Sequence, residues 1–472
     1  MHGGIRIALS LCLEKEAQMN PKISWSSGLA LIVLLVSVAL TACGYKSTTS
    51  YGAPTAVALA RYNANGTPDT TNLVGGTGLV TTDINTSQDD VAFATVLQPD
   101  GKIIAVGTSF TTPANVVVIR YNTDGTRDST FGSNGITVTS LLSADATAFA
   151  ATLQADGKLL VAGRSCASSG VTGFLLLRYH TDISTGTPGT LDTAGFNSPL
   201  GYVVTPIPSG TKTGANAVAV SGTNILVTGH SKIGGRFVIA LAQYTSSGAL
   251  DSTFGSSGIV TTAVGSLDAD AAALAVQVDG KIVAAGLAGN AVTNVWDVAL
   301  VRYNANGSLD TTSGVGGSTG IVTTDIGSSS NYANAVALQA DGKIVVAGNA
   351  FANPFAGTSD IAVLRYNTDG SLDTTGFGGG NGFVTTNVSG FDNGFAVAVQ
   401  PLDGKIVVAG NADAGIADRL ALLRYNADGS PDSGFGTGGI VTRAASGPST
   451  IAGAFAVALQ PADGAIVVVG YD

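Results

Sequence analysis

A phrase of about sixty residues recurs along this chain, and that recurrence limits the fold more than any other feature. Phe395–Thr442 is its clearest copy. Each copy holds four short apolar runs, here Ala396–Gln400, Ile406–Gly410, Leu420–Tyr425 and Ile440–Thr442. Val, Ile, Phe and Tyr dominate them, which favours strands. Asp403-Gly404 separates the first two and Asp428-Gly429 follows the third, both dipeptides suited to tight turns. A helix is excluded, because glycines and turn signals interrupt every run before ten residues. The unit is therefore predicted to be a four-stranded antiparallel meander. Its runs are apolar on both faces and require cover on both, which sheets stacked face to face supply.

The third run ends at Tyr62, Tyr121, Tyr179, Tyr244, Tyr303, Tyr366 and Tyr425, at steps of 59, 58, 65, 59, 63 and 59 residues. A four-strand period near sixty predicts propeller blades rather than solenoid coils, whose repeats run to roughly 20–30 residues. The first copy lacks its first two runs, and the last copy has only those two, Phe455–Gln460 and Ile466–Gly470. Two halves make one blade, and their pairing would remove exposed sheet edges. The expectation is all-β: a seven-bladed β-propeller of four-stranded antiparallel blades over residues 52–472, closed by N-terminal strands pairing with C-terminal strands. The first run is placed inside and the Thr-rich fourth outside. An open array of the same sheets is the alternative.

Leu338-Gln339-Ala340-Asp341-Gly342-Lys343-Ile344-Val345-Val346-Ala347-Gly348, followed by Leu364-Arg365-Tyr366-Asn367-Thr368-Asp369-Gly370-Ser371-Leu372-Asp373, resembles the delta-60 repeat. That is the bacterial repeat of a β-propeller domain family of unknown function. The resemblance runs from about Tyr51 to Asp472 and implies the fold and a bacterial surface or secreted setting. It brings no catalytic residues.

The first 42 residues read as an export signal. Met1 and Met19 are the only methionines, and from Met19 the pattern is complete, with Lys22 as its charged start and Leu29–Leu40 as its apolar core. Met19 is therefore the expected start. The apolar run is short for a transmembrane helix of about 20 residues. Leu40-Thr41-Ala42-Cys43 resembles the bacterial lipobox, which implies lipid on the Cys43 thiol and cleavage before it. Acyl chains such as palmitate added there would give a stable membrane anchor. Residues 43–51 would then be the lipidated cysteine and a polar tether. Gly44 in place of Asp favours the outer membrane in a Gram-negative cell. The formal net charge of −10 and the lack of a basic patch argue against nucleic acid.

Two constellations are candidate sites. Asn-x-Asp-Gly-x-x-Asp occurs at Asn122/Asp124/Asp128, Asn367/Asp369/Asp373 and Asn426/Asp428/Asp432, the oxygen spacing of calcium loops. Arg120, Arg365 and Arg424 stand where such loops begin with an acid, so the competing reading is a self-capped turn with Arg paired to the later Asp. The second constellation is aromatic: Trp296, Tyr332, Phe351, Phe355 and Phe391 fall in connections that share one face of a propeller. They suit sugars or protein partners, or else plug the blade interfaces. His180 and His230 are the only histidines after Cys43, and neither has zinc-type spacing. No catalytic or cofactor residues are assigned. The function expected is a non-catalytic, lipid-anchored envelope scaffold that binds protein or polysaccharide. The alternatives are a propeller-fold hydrolase or lyase, and a calcium-stabilised adhesion module.

Overall fold

The computed structural model describes residues 54–472, apart from 142–143, 168–169, 171, 294, 313–315, 317, 328, 354–357, 414–417 and 446–451. The repeats fold into successive four-stranded antiparallel sheets, each with its strands side by side in chain order. Sheet 1 comprises Asp90–Leu97, Ile103–Ser109, Asn115–Tyr121 and Ile136–Thr139. Sheets 2 to 6 follow the same plan as far as Ala444. Sheets 5 and 6 are also joined by one parallel contact, Ser359 to Phe391. Sheet 7 combines both ends of the described chain. Gly453–Leu459 and Ile466–Tyr471 supply its first two strands, and Val57–Tyr62 and Leu79–Thr82 its last two. Val57–Tyr62 pairs antiparallel with Ile466–Tyr471, from Val57 opposite Tyr471 to Tyr62 opposite Ile466.

Second strands such as Ile103–Ser109 and Leu159–Cys166 are buried along their whole length. Their cover is the neighbouring sheets. Val106 and Val118 of sheet 1 pack with Val161 and Leu175 of sheet 2, and equivalent clusters follow between later pairs. Val57 and Val469 of sheet 7 pack in turn with Ile103 and Val117 of sheet 1. Each fully buried Val or Leu contributes about 1.5–3 kcal/mol. The fourth strands are the most exposed, as in the partly open Ile136–Thr139.

Polar residues that recur with the repeat tie each sheet to the next. The buried tyrosine ending a third strand reaches a threonine on the fourth strand of the preceding sheet, as in Tyr179 to Thr139 at 2.7 Å and Tyr366 to Thr324 at 2.8 Å. A buried hydroxyl without a partner would cost about 1–3 kcal/mol. In sheet 6 that threonine is replaced by Arg443, which stands beside the Tyr62 hydroxyl. The arginine before each tyrosine forms the second tie. Arg365 Nε donates to Asp373 at 2.9 Å, its Nη1 donates to the Ala427 carbonyl of the next sheet, and its guanidinium lies 4.8 Å from the Phe377 ring. Arg120, Arg178, Arg302 and Arg424 likewise reach carbonyls of the following sheet. Sheet 3 departs from the plan, with Gln243 bonded to Asp251 at 2.8 Å.

Candidate functional site

Every first strand carries one more residue than its partner opposite. In sheet 1, Ala92 faces Gly107 and Ala94 faces Val106, so Phe93 between them is an unpaired bulge. Phe149, Asn216, Ala272, Asn334, Phe395 and Phe455 occupy the same place in sheets 2 to 7. The bulge presses the backbone onto the second strand. A Cβ at Gly107 would lie 1.9 Å from the Val91 carbonyl oxygen, and one at Gly410 would lie 1.7 Å from that of Asn393. This close approach is why a glycine recurs in every second strand.

All seven bulge residues line one cavity of about 130 Å³, so the first strands are the inner ones. All seven are half-buried. One arc is aromatic: Phe93 lies 5.4 Å from Phe149 and 5.1 Å from Phe455, and Phe455 lies 5.1 Å from Phe395. The opposite arc is Asn216, Ala272 and Asn334, joined by Asp270. Asn216 Nδ2 donates to Asp270 Oδ1 at 3.0 Å and to the Ala271 carbonyl at 2.9 Å. Asn334 Nδ2 donates to Asn349 Oδ1 at 2.8 Å and to the Gly394 carbonyl at 3.0 Å.

A polar layer stands behind this arc. Fully buried His230 has Nδ1 3.2 Å from Asp270 Oδ2. On the other side Asn349 Nδ2 donates to Asn393 at 2.7 Å, and Asn393 Nδ2 donates to Asn411 at 2.9 Å. Asn349 and Asn393 thus each donate to the next asparagine in the row, as buried amides seek to. Beyond Asn411 lies Asp418. Burial, together with the charge of Asp413, pushes its carboxyl up to about 7, against a smaller downward pull from Asn411. The unfolded carboxyl titrates near 3.8, so folding takes up a proton between those two values and stability falls as pH rises through that window. Asp418→Asn is expected to raise stability at pH 8 by up to about 4 kcal/mol, seen as a higher melting temperature, and to flatten its pH dependence from 4 to 7. Thermal melts across that range check this.

The residues singled out in the sequence lie elsewhere. In the three acidic turns the oxygens are engaged within the turn. Asp124 Oδ1 accepts from Thr126 N and Oγ1 at 2.9 and 2.6 Å, and Asn122 Nδ2 donates to Thr126 Oγ1 at 3.0 Å. Asn367 with Asp369 and Asn426 with Asp428 repeat the pattern around Ser371 and Ser430. The later acids face arginine instead: Asp128 lies 2.9 Å from Arg120, and Asp432 lies 2.7 Å from Arg424. Among the described residues no group of three or more His, Cys, Asp or Glu side chains is placed to hold a metal. Tyr332, Phe351 and Phe391 do come together, edge to face at 5.4 and 5.7 Å. Phe351 and Phe391 are buried and offer no open ring face; Tyr332 is partly exposed. Trp296 is half-buried, its backbone N–H bonded to Ser330 Oγ at 3.2 Å, and is not in that trio. Phe355 and Cys43 lie outside the described residues. The bulge position itself was missed. Its signal is an inner-run position that switches among Phe, Asn and Ala between copies while its neighbours stay small.

Comparison with curated proteins returns no match. Among solved structures, a protein of unknown function from Dyadobacter fermentans is 11% identical, with 90% of this chain and 100% of that one covered at a TM-score of 0.40. An α-L-arabinofuranosidase of Fusarium graminearum is 10% identical, with 78% and 97% covered at 0.43. An ulvan lyase is 12% identical, with 74% and 81% covered at 0.40. Nothing of their activities transfers to this chain. A family model matches residues 47–71, 98–131, 154–193, 224–254, 277–312, 339–375 and 402–435, seven segments that follow the repeat and together span half of the chain. The chain belongs to the family described as the β-propeller domain of unknown function DUF5122.

Proposed function

We propose that this chain is a closed seven-bladed propeller, held at a bacterial envelope membrane by lipid on Cys43, that acts as a non-catalytic binding scaffold at its axial cavity. Its ligand is an envelope or extracellular protein or polysaccharide. The observation that carries this reading is the contrast between frame and bulge. The Arg–Asp and Tyr–Thr ties recur from sheet to sheet, whereas the bulge residue changes from Phe to Asn to Ala. A position that only filled space in a repeated frame would repeat with it; one that meets a ligand lacking sevenfold symmetry would not. The pairing of Val57–Tyr62 with Ile466–Tyr471 supports closure.

The test is capture. Ser47–Asp472, immobilised, is probed with fractionated envelope protein and polysaccharide. Capture is expected, and it should be lost in the Phe93→Ala/Phe455→Ala variant while the variant's circular dichroism is retained. Capture that survives those substitutions counts against the cavity. A hydrolase reading rests on one observation, the His230–Asp270 contact beside the cavity. Turnover of an envelope polysaccharide that disappears in His230→Ala would replace the scaffold reading with it. Cys43→Ser is expected to move the full chain from the membrane to the soluble fraction, read by fractionation and by loss of fatty-acid labelling. Membrane retention of that variant would refute the anchor.

A further inference from the structure

The axial cavity has an asymmetry of charge as well as of polarity. Among the described residues its lining includes one carboxylate, Asp270, and no Lys or Arg. Arg164 stands near His230, one layer out, and interacts with Asp145. The two asparagines are fixed in orientation by what their amino groups meet. Asn216 Nδ2 donates to a carboxylate and a carbonyl, and Asn334 Nδ2 donates to a side-chain amide oxygen and a carbonyl. Both N–H donors of each are spent on the sheet, which leaves the carboxamide oxygens as the atoms free to accept. Opposite them, Phe149, Phe93, Phe455 and Phe395 form a continuous aromatic arc with centroids 5.1–5.4 Å apart. Aromatic faces carry partial negative charge, and an array of them beside a carboxylate attracts organic cations. An anion would meet like charge on every side. A neutral apolar group would add nothing to the partners Asp270 already has in Asn216 and His230, whereas a cation adds a charge-assisted one.

Resting on the scaffold reading, we propose that the axial cavity is a binding site for an organic ammonium group, the chemistry carried by a lysine side chain or by a small alkylammonium ion. The phenylalanine arc takes the cation's methyl or methylene surface. Asp270 and the Asn216 and Asn334 oxygens take its charge. The volume, about 130 Å³, is close to the cavities of about 150 Å³ that admit benzene, enough for one such group.

Each cation is tested beside its neutral isostere by calorimetric titration of Ser47–Asp472. Choline is compared with 3,3-dimethyl-1-butanol, and Nα-acetyl-lysine methylamide with Nα-acetyl-norleucine methylamide. At least one cation is expected to bind about tenfold or more tightly than its isostere. Preference for the lysine compound assigns the site to a partner's side chain, and preference for choline assigns it to a free or methylated ammonium. Asp270→Asn, nearly isosteric, and Phe455→Leu, at a half-buried position, are each expected to weaken the better cation about tenfold with the thermal melt retained. Equal affinity of cation and isostere, or no binding of either cation to folded protein, overturns the proposal. Macromolecular capture without cation preference would overturn this inference and leave the scaffold standing; cation binding without capture would do the reverse.

Discussion

A chain that begins at Ile84 is expected not to fold to a stable monomer. It lacks the two outer strands of sheet 7, and with them Val57, Leu59 and Tyr62, all at most 2% exposed. Burial of three such side chains contributes on the order of 5–9 kcal/mol, which rivals the 5–15 kcal/mol total of a typical domain. The loss is not confined to the removed strands. Val57 and Leu59 share a cluster with Ile103 and Val117 of sheet 1, and Ala60 and Tyr62 share one with Val407 and Leu422 of sheet 6. Removal also strips the backbone partners from one side of Ile466–Tyr471, a strand with an apolar run and now an open edge. Size-exclusion chromatography and near-UV circular dichroism, against a chain beginning at Pro54, check this. A monomer melting within a few degrees of that control would mean that six and a half sheets stand alone and that the terminal pairing is an accessory.

What could be read from the chain divides along the repeat. Tyr62 through Tyr425 were legible as a ruler because the hydroxyl needs a buried partner in every sheet, so selection for packing writes the same letter each time. The eight-residue step from Arg365 to Asp373 was legible as an ion pair for the same reason. The inner strands were placed correctly but drawn too short. The run Ala396–Gln400 is a strand from Phe391 to Val399, because the bulge at Phe395 breaks the apolar pattern in the middle of the element. The same bulge hid the cavity. In one dimension Ala-Phe-Ala is ordinary strand alternation, and only the partner strand shows that Phe93 is opposite nothing. His230 and Asp270 were invisible as a pair because they lie on the second strand of one sheet and the first of the next, joined by packing rather than by any spacing. The loop aromatics were conspicuous for the opposite reason. Unique residues such as Phe351 and Phe391 stand out against a repeat, yet at 8% and 3% exposure they close a seam between sheets.

Arg365→Ala is expected to cost about 3–5 kcal/mol, the range for removing one partner of a buried charge pair. Asp373 is fully buried, and Arg365 Nε supplies one of its charged contacts while Lys343 Nζ, at 2.8 Å, supplies the other. The same substitution orphans the Gly376 carbonyl, which accepts from Nη2 at 2.6 Å, and the Ala427 carbonyl of sheet 6. Replacing Arg365 and Asp373 together by leucine should cost less than the single change, because no buried charge is left behind; Lys343 is partly exposed and can turn to solvent. Sheet 3 provides the converse. Gln243 holds Asp251 without a cation, and Gln243→Arg is expected to raise the melting temperature slightly by adding a charge-assisted bond. Acid should erase these differences. For Asp128, burial pushes the carboxyl up, but hydrogen bonds from Thr130 and the charges of Arg120 and Lys102 outweigh it and bring the carboxyl down to about 2 from 3.8. A depressed carboxyl contributes stability that is full above the unfolded value and lost as pH falls through the folded one. For Asp373 burial again pushes the carboxyl up, but hydrogen bonds from Lys343, Arg365 and Gly376 and the Arg365 charge hold it further below 3.8 than Asp128, so the melting temperatures of the parent and Arg365→Ala should draw together steadily as pH falls below 4. A gap that does not narrow at all as pH falls below 4 would show that Arg365 acts through its stacking on Phe377 and its carbonyl bonds rather than through Asp373.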